Sequence, residues 1–471
     1  MRIPTLSVVC LTKAHCASDS GATVLLVDEP PPQVPGPDDG VIEDARMRQW
    51  RHRVAVLTLL AAAAVVVVAT GLAGGGGGSP GIGSGSGFGS GGRAPSRAQE
   101  AQEARQIARV AASDPVPEAQ LFAGGTGWAI SHYGLSWTRD DGRSWSLIEP
   151  PELRHPSVVD ISARIDDVAY RAPSIWVAMG DLIGTRVHDF SYRYATIART
   201  TDDGKTWRSG ESSGCDYGCG AQYMSFLTAT RGYLLSSLAS LARPRLDETN
   251  NGGATWTPVG SAPFAGAIQF TTASDGWGVS NPSQWINEDQ TPVGGGRVYG
   301  TTNGGHTWQR VRLTPPRRYA GMPSTAGPPA FFGAEGGVIP VRYRNRRTGN
   351  QYLVVYTTAD GGRSWATHLA PPADDLRSDQ WGIASGLAFS APNPRTWLFF
   401  AGRTLYETTD TGNSWTTVHV EIPAVTPLLL SFTTPTTGWA IFSVSTGDHS
   451  YPPVLVRTTN AGTTWTALAP R

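Results

Sequence analysis

Cysteine is nearly absent from this chain: 4 residues in 471, falling as two close pairs, Cys10/Cys16 and Cys215/Cys219. Four are too few for a disulfide-built scaffold. No further Cys/His pair stands at zinc spacing either, so no metal site is expected. Net charge is missing as well, 38 Lys and Arg against 38 Asp and Glu, which speaks against a nucleic-acid groove or a polybasic membrane surface. The chain has no G-x-S-x-G elbow and no phosphate-loop lysine. Its one formal G-x-G-x-x-G match, Gly87 to Gly92, sits in a Gly/Ser tract with no strand before it. No catalytic residue and no cofactor are expected. Helical periodicity, finally, is almost missing beyond residue 112.

What the chain does have is glycine (56), proline (35), tryptophan (16) and one phrase written seven times. The pattern [ST]-x-[DN]-x-G-x-[ST]-W runs at Thr138–Trp145, Thr200–Trp207, Thr249–Trp256, Thr301–Trp308, Thr358–Trp365, Thr408–Trp415 and Thr458–Trp465. The closing tryptophans are 62, 49, 52, 57, 50 and 50 residues apart, a period that marks a repeat architecture. Before each copy stand short apolar runs separated by turn residues. In the last unit these are Leu429–Thr433, Gly438–Phe442 and Val454–Thr458, with Thr464–Leu468 following. Four strands per unit and seven units predict an all-β fold, a seven-bladed β-propeller of four-stranded antiparallel blades.

The phrase then lies in the hairpin between the third and fourth strands of each unit. Its third residue is Asp140, Asp202, Asp360 or Asp410 in four copies and Asn251, Asn303 or Asn460 in three. Asn keeps the hydrogen-bond acceptor and loses the charge, so a structural role is expected, since a catalytic carboxylate does not survive that exchange. The glycines Gly142, Gly204, Gly253, Gly305, Gly362, Gly412 and Gly462 fit positions of positive φ. Trp145, Trp207, Trp256, Trp308, Trp365, Trp415 and Trp465 are expected to open the last strand and fill the gap to the neighbouring unit. Ca²⁺ needs six or more oxygens, and eight residues with one or two carboxylates do not supply them.

The N-terminal part reads differently. Residues 1–53 have no clear periodicity, carry a Pro-rich acidic stretch from Glu29 to Asp44, and are expected to be disordered and cytoplasmic. Residues 54–73 form an uncharged apolar run preceded by Arg46, Arg48, Arg51 and Arg53, which predicts a single transmembrane helix with the propeller extracytoplasmic. A cleaved signal peptide, giving a secreted protein, is the alternative. Met47 offers a second start, in which case residues 1–46 are never made. Residues 74–95 read as a Gly/Ser/Pro linker, 96–112 as a short stalk helix with Ser96 as N-cap, and 113–471 as the propeller. In an oxidising compartment Cys215 and Cys219 would close a small loop disulfide, with two free thiols or half a metal site as the alternatives.

Loops of a four-stranded blade alternate between the two ends of the ring. The repeated boxes therefore share one face, and the longer second-to-third hairpins share the other, which makes the latter the candidate binding surface. Two stretches there combine positive charge with aromatic or polar neighbours. One holds Arg186, Tyr192 and Arg193; the other holds Arg342, Arg344, Arg346 and Arg347. Both suit a protein or cell-surface glycan partner with acidic groups, and both are also what a solvated hairpin tip looks like.

The boxes are those of the Asp-box, or BNR, repeat, and the chain resembles Asp-box propellers over roughly residues 119–471. Sialidases share the repeat on six blades, with an arginine triad, a Tyr–Glu pair and an Asp acid/base. Their Arg-Ile-Pro motif appears here only as Arg2-Ile3-Pro4, more than 130 residues before the first box, a chance match. The chain more closely resembles the seven-bladed photosystem II stability and assembly factor family. Phe432-Thr433-Thr434, then Gly438-Trp439-Ala440, then a Thr-Thr-Asn-x-Gly-x-Thr-Trp box carry that resemblance. It implies a non-enzymatic binding or assembly scaffold with one basic surface. The competing expectation is a glycoside hydrolase with a non-sialidase site on the loop-rich face, and Asp160, Asp166, Asp167, Asp181 and Asp189 are its candidate carboxylates.

Overall fold

The protein is described by a computed structural model over residues 97–154, 165–180, 195–212, 219–238, 244–280, 296–371, 387–420, 425–444 and 452–470. These residues form seven antiparallel sheets, each built from strands that follow one another in sequence. The first blade runs Glu118–Leu121, Gly127–Ser131, Gly134–Thr138 and Ser146–Leu147, and the last runs Val425–Phe432, Gly438–Val444, Pro453–Thr458 and Thr466–Ala467. First strands of neighbouring blades touch one another, as in blades two and three, three and four, and six and seven, which places them innermost in the ring. The outermost strand begins one residue after the box tryptophan, at Ser146, Arg208, Thr257, Gln309, Ala366, Thr416 and Thr466.

Blade five departs from the four-strand plan. Its inner strand is split into Ser324–Ala326 and Ala330–Phe332, both pairing with Gly336–Arg344. Gly327-Pro328-Pro329 lies between the two pieces, and proline offers no N–H to the ladder.

A middle strand has a blade on each side of it, so both of its faces are buried. In the last blade Gly438–Val444 is buried at every position. Trp439 and Ile441 pack towards blade one with Ala119, Leu121 and Ala129. Ala440, Phe442 and Val444 pack towards blade six with Leu398 and Phe400. Alternation of period two thus survives inside an apolar run, with each parity serving a different neighbour.

Among the described residues no strand is exchanged between the first and last blades, and side chains, one helix and the segment after it close the ring. The helix α1 (Arg97–Ser113) lies against blade seven. Ile107 and Ala111 are fully buried in the cluster that contains Val444, Val454 and Trp465. Glu103 accepts a hydrogen bond from the Trp465 main chain, and just past the helix Val116 N donates to Pro453 O at 3.0 Å. The rest of α1 is mostly polar, and this narrow Ile/Ala stripe supplies the grip.

The expected architecture needs one correction. It included a transmembrane helix over residues 54–73, and no helix among the described residues is long and apolar enough to cross a membrane. The helix the structure describes is 17 residues long and carries Arg, Glu and Gln along its length, too short and too polar for a bilayer. Residues 54–73 themselves lie outside the described residues. The membrane-anchored, single-pass placement, with a cytoplasmic N-terminus and an extracytoplasmic propeller, is set aside on this finding. The expectations for residues 1–53 and 74–95 also fall outside the described residues.

Candidate binding surface

The box is a closed hydrogen-bond unit, and its chemistry explains both its spelling and its variation. In the first copy the Thr138 hydroxyl donates to Asp140 Oδ1 at 2.8 Å and accepts from Gly142 N at 2.9 Å. Asp140 Oδ1 also accepts from Ser144 N at 2.9 Å, and the Ser144 hydroxyl donates to Asp140 Oδ2 at 2.6 Å. Copies with Asp202, Asp360 and Asp410 repeat every one of these bonds.

Where Asn replaces Asp, the last bond runs backwards. Asn251, Asn303 and Asn460 donate Nδ2–H to the hydroxyls of Thr255, Thr307 and Thr464 at 2.8, 2.9 and 2.9 Å. An amide has a donor where a carboxylate has an acceptor, and a hydroxyl can serve either. The hydroxyls in Asn boxes therefore keep their own O–H free of the box. In the Asp boxes the donors stabilise the anion: Asp140, Asp202 and Asp410 are drawn down to about 2, and Asp360 is lowered in the same direction. The cause is chiefly the hydroxyl and main-chain N–H of the seventh residue (Ser144, Thr206, Ser364, Ser414), with the first-position threonine adding to it.

Two successive residues in each box have positive φ. The fifth is always glycine, but the fourth is Asp141, Asp203, Gly252, Gly304, Gly361, Thr411 or Ala461. In at least six copies this residue's N–H reaches back to the first turn of its own blade, as in Asp141 N to Gly125 O at 2.8 Å and Ala461 N to Thr436 O at 3.0 Å. Both turns thus lie on one face, tied together. The box tryptophans pack towards the preceding blade: Trp145 on Trp439, Trp365 on Trp277, and Trp465 on Phe400. Second-strand aromatics return the contact, with Trp176 Nε1 donating to Gly252 O at 2.9 Å and Tyr233 Oη to Ala273 O at 2.8 Å in the following blades.

On the opposite face, blades four and five carry a cluster of arginines and tyrosines. The second-to-third hairpin of blade five is held by Asn345, whose N–H donates to Asn350 O and whose Oδ1 accepts from Arg347 N at 2.9 Å. That turn presents Arg344, Arg346 and Arg347 to solvent. Arg342 points from the same strand and is half-buried. From the link between blades four and five come exposed Arg317 and Arg318, the latter with its guanidinium 5.2 Å from the Tyr319 ring centre. Tyr319 stacks on Tyr343 and Tyr352 at 5.5 and 4.9 Å, so the link and the hairpin form one body. Beneath them the Tyr343 and Tyr356 hydroxyls meet at 2.7 Å, and Tyr356 Oη donates to Thr314 O at 3.0 Å. Burial raises both phenols, leaving them neutral donors that anchor the cluster.

Arg186, Tyr192, Arg193 and Cys215 lie outside the described residues, so neither the second arginine stretch nor the Cys215/Cys219 pairing is described. The same holds for Asp160, Asp181 and Asp189. Among the described residues no group of three or more His, Cys, Asp and Glu is placed to hold a metal ion.

Near the axis one carboxylate stands out. Asp167, on the inner strand of blade two, is pushed up to about 7, mainly by burial, with the Glu118 charge of blade one adding to it. Its Oδ1 accepts from Val168 N at 2.9 Å and its Oδ2 from Met224 N at 2.6 Å, in the inner strand of blade three. Equivalent bridges join other inner strands. Ser225 Oγ accepts from Phe270 N at 2.8 Å, Gln269 Oε1 from Phe331 N at 3.1 Å, and Ser390 Oγ from Phe432 N at 2.8 Å. Asp167 is one clasp in this belt, and nothing in its sequence context distinguished it from the other acids.

No family model matches the chain, and no curated protein matches it. Among solved structures it is similar to YCF48 bound to D1 peptide, at 16% identity over 64% of this chain and 80% of that one, with a TM-score of 0.40. It is also similar to YCF48 from Cyanidioschyzon merolae, at 14% identity over 74% of this chain and 95% of that one, TM-score 0.45. A GH74 xyloglucanase from Xanthomonas campestris is similar at 14% identity over 76% of this chain and 68% of that one, TM-score 0.36. The expected resemblance to photosystem II assembly-factor-like propellers thus has its counterpart in the two YCF48 structures. The count of seven blades is taken from the chain's own sheets.

Proposed function

We propose that this propeller is a non-enzymatic binding scaffold, and that the surface of blades four and five holds an acidic segment of a protein partner. The observation that carries this reading is the joining of Arg317, Arg318, Arg344, Arg346 and Arg347 by one tyrosine stack. Guanidinium groups pair with carboxylates through fixed, forked donors, and tyrosines add contact area at low entropic cost. The stack holds the link and the hairpin together before any partner arrives, which lowers the ordering cost of binding. A glycan bearing acidic groups would use the same donors and is an outcome of the test.

The test is binding of a fluorescent poly-glutamate peptide to the full chain, compared with a variant carrying Ala at positions 344, 346 and 347. The reading expects saturable binding that weakens with salt and is lost in the variant. Equal binding by both proteins discards the arginine surface. Binding of an acidic polysaccharide in place of the peptide moves the assignment to a glycan.

The competing reading, glycoside hydrolysis, is favoured by the raised carboxylate of Asp167 close to Glu118. Both Asp167 oxygens already accept main-chain hydrogens, so the group is held as a clasp more than offered to a substrate. Hydrolysis of any glycoside that disappears in Asp167→Asn, with the fold intact, would reverse this preference.

A further inference from the structure

The seam where the last blade meets the first carries a groove of about 410 Å³, a size that suits a small ligand. Its polar side chains are Arg143, Arg457, Thr459, Thr464 and Thr466, with Trp145 beside them and no carboxylate in the lining. Ala467, Leu468 and Ala469 complete it with an apolar side. Arg457 is the central group. Its side chain is only 15% exposed, its Nε is buried without a hydrogen-bond partner among the described residues, and its acidic contact there is Nη2 to Asp141 Oδ2 at 3.5 Å. A guanidinium so far removed from water, with so weak a partner, is incompletely satisfied. Arg143 stands exposed beside it.

Thr464 adds a directional feature that follows from the spelling of its box. Because Asn460 Nδ2 donates to Thr464 Oγ1 at 2.9 Å, the threonine keeps its own O–H for an outside acceptor. With Asp at position 460, that hydrogen would be turned inward onto the carboxylate, as it is at Ser144 and Ser364. The groove between blades two and three makes the contrast plain, since Glu152 and Glu211 line that one.

The geometry points to a site at the first–last seam for a small hydroxylated carboxylate, of the sugar-acid class. The carboxylate would take the Arg457 and Arg143 guanidinium groups, and ring hydroxyls would accept from Thr464 and its neighbouring threonines. This site shares no residue with the arginine–tyrosine surface, so either can fail alone.

Titration calorimetry of the full chain with D-glucuronate, D-glucose and inorganic sulfate tests it. Saturable glucuronate binding is expected, with glucose and sulfate each much weaker. Arg143→Ala should weaken glucuronate roughly tenfold, the loss of about one charge-assisted hydrogen bond, and Asn460→Asp by a similar factor as the Thr464 O–H turns inward and a negative charge is added beside the site, with thermal unfolding unchanged in both. Asn460→Asp is the sharper of the two, because four native boxes already hold Asp at that place and the box itself stays intact. No saturable binding at about 10 mM glucuronate overturns the site. So does sulfate binding as tightly as glucuronate, or unchanged affinity in both variants.

Discussion

The two faces of this ring are made by the same strands and follow opposite rules. On the box face, seven turns repeat one hydrogen-bond network, and even the Asp-to-Asn exchange leaves its geometry intact by reversing a single hydroxyl. On the loop face the described cluster of functional character belongs to blades four and five. A network that spends most of a turn's donors on its own residues leaves little beyond side chains such as Arg143 and the Thr464 hydroxyl for a partner. A loop tied down by one Asn and a tyrosine stack has side chains to spare.

That contrast can be broken most forcefully at a box tryptophan. Trp465 is 2% exposed and touches Phe432 and Phe442 of its own blade and Phe400 across the boundary with blade six. Trp465→Ala should cost about 3–5 kcal/mol in chemical denaturation. A loss below about 1 kcal/mol would show that the seam collapses onto the gap. Next comes the first-position hydroxyl. Thr458→Val leaves Gly462 N and Asn460 N without their acceptor inside a buried turn, and about 1–3 kcal/mol should be lost. The same change at exposed Thr348 of the loop-face hairpin should stay within about 0.5 kcal/mol.

Acid titration separates the boxes from the inner belt. Asp140, Asp202 and Asp410 have folded-state values below their unfolded ones, so their stabilisation is present above about pH 4 and lost as pH falls through about 2. Exchanging all four box Asp for Asn should flatten that acid limb. Asp167 has the opposite sign: its raised value makes stability greatest below about pH 4 and lower as pH climbs through about 7. Asp167→Asn should flatten only that upper limb, and urea midpoints measured against pH read both. The smallest effect on stability is expected from Ala at 344, 346 and 347 together, within about 0.5 kcal/mol at these exposed positions. A large loss there would mean that the loop face is as structural as the boxes.

Much of the box face was legible from residues alone, because turn chemistry is local: Asp140, Gly142 and Trp145 declare an Asx-bonded turn, a positive φ and an aromatic plug within six residues. The fourth box position escaped notice, since Asp141, Gly252, Thr411 and Ala461 share no side-chain chemistry; what they share is a backbone conformation fixed by the bond to the blade's first turn. The docking of α1 was hidden by a stripe as thin as Ala104, Ile107 and Ala111, whose worth depends on the partner that covers it. Asp167 looked like any acid because its acceptor role depends on Met224, a residue of the next blade. The stacking of Tyr319 on Tyr343 and Tyr352 likewise joins distant stretches, so the arginine run was visible but its aromatic support was not. The transmembrane expectation rested on an apolar run and the arginines before it, and has no counterpart among the described helices.

Every sheet here is completed by strands adjacent in sequence, and none is lent across the seam. Each unit of roughly 50 residues is therefore a self-contained sector of the circle, joined to its neighbours by side chains and by links that any other sector could supply. Such a ring can be reopened elsewhere: joining the present ends and cutting between two other blades would leave all seven sheets whole. It also gives this lineage a simple arithmetic of size, in which duplicating or deleting one whole sector changes the circumference by a seventh without unpairing a single strand.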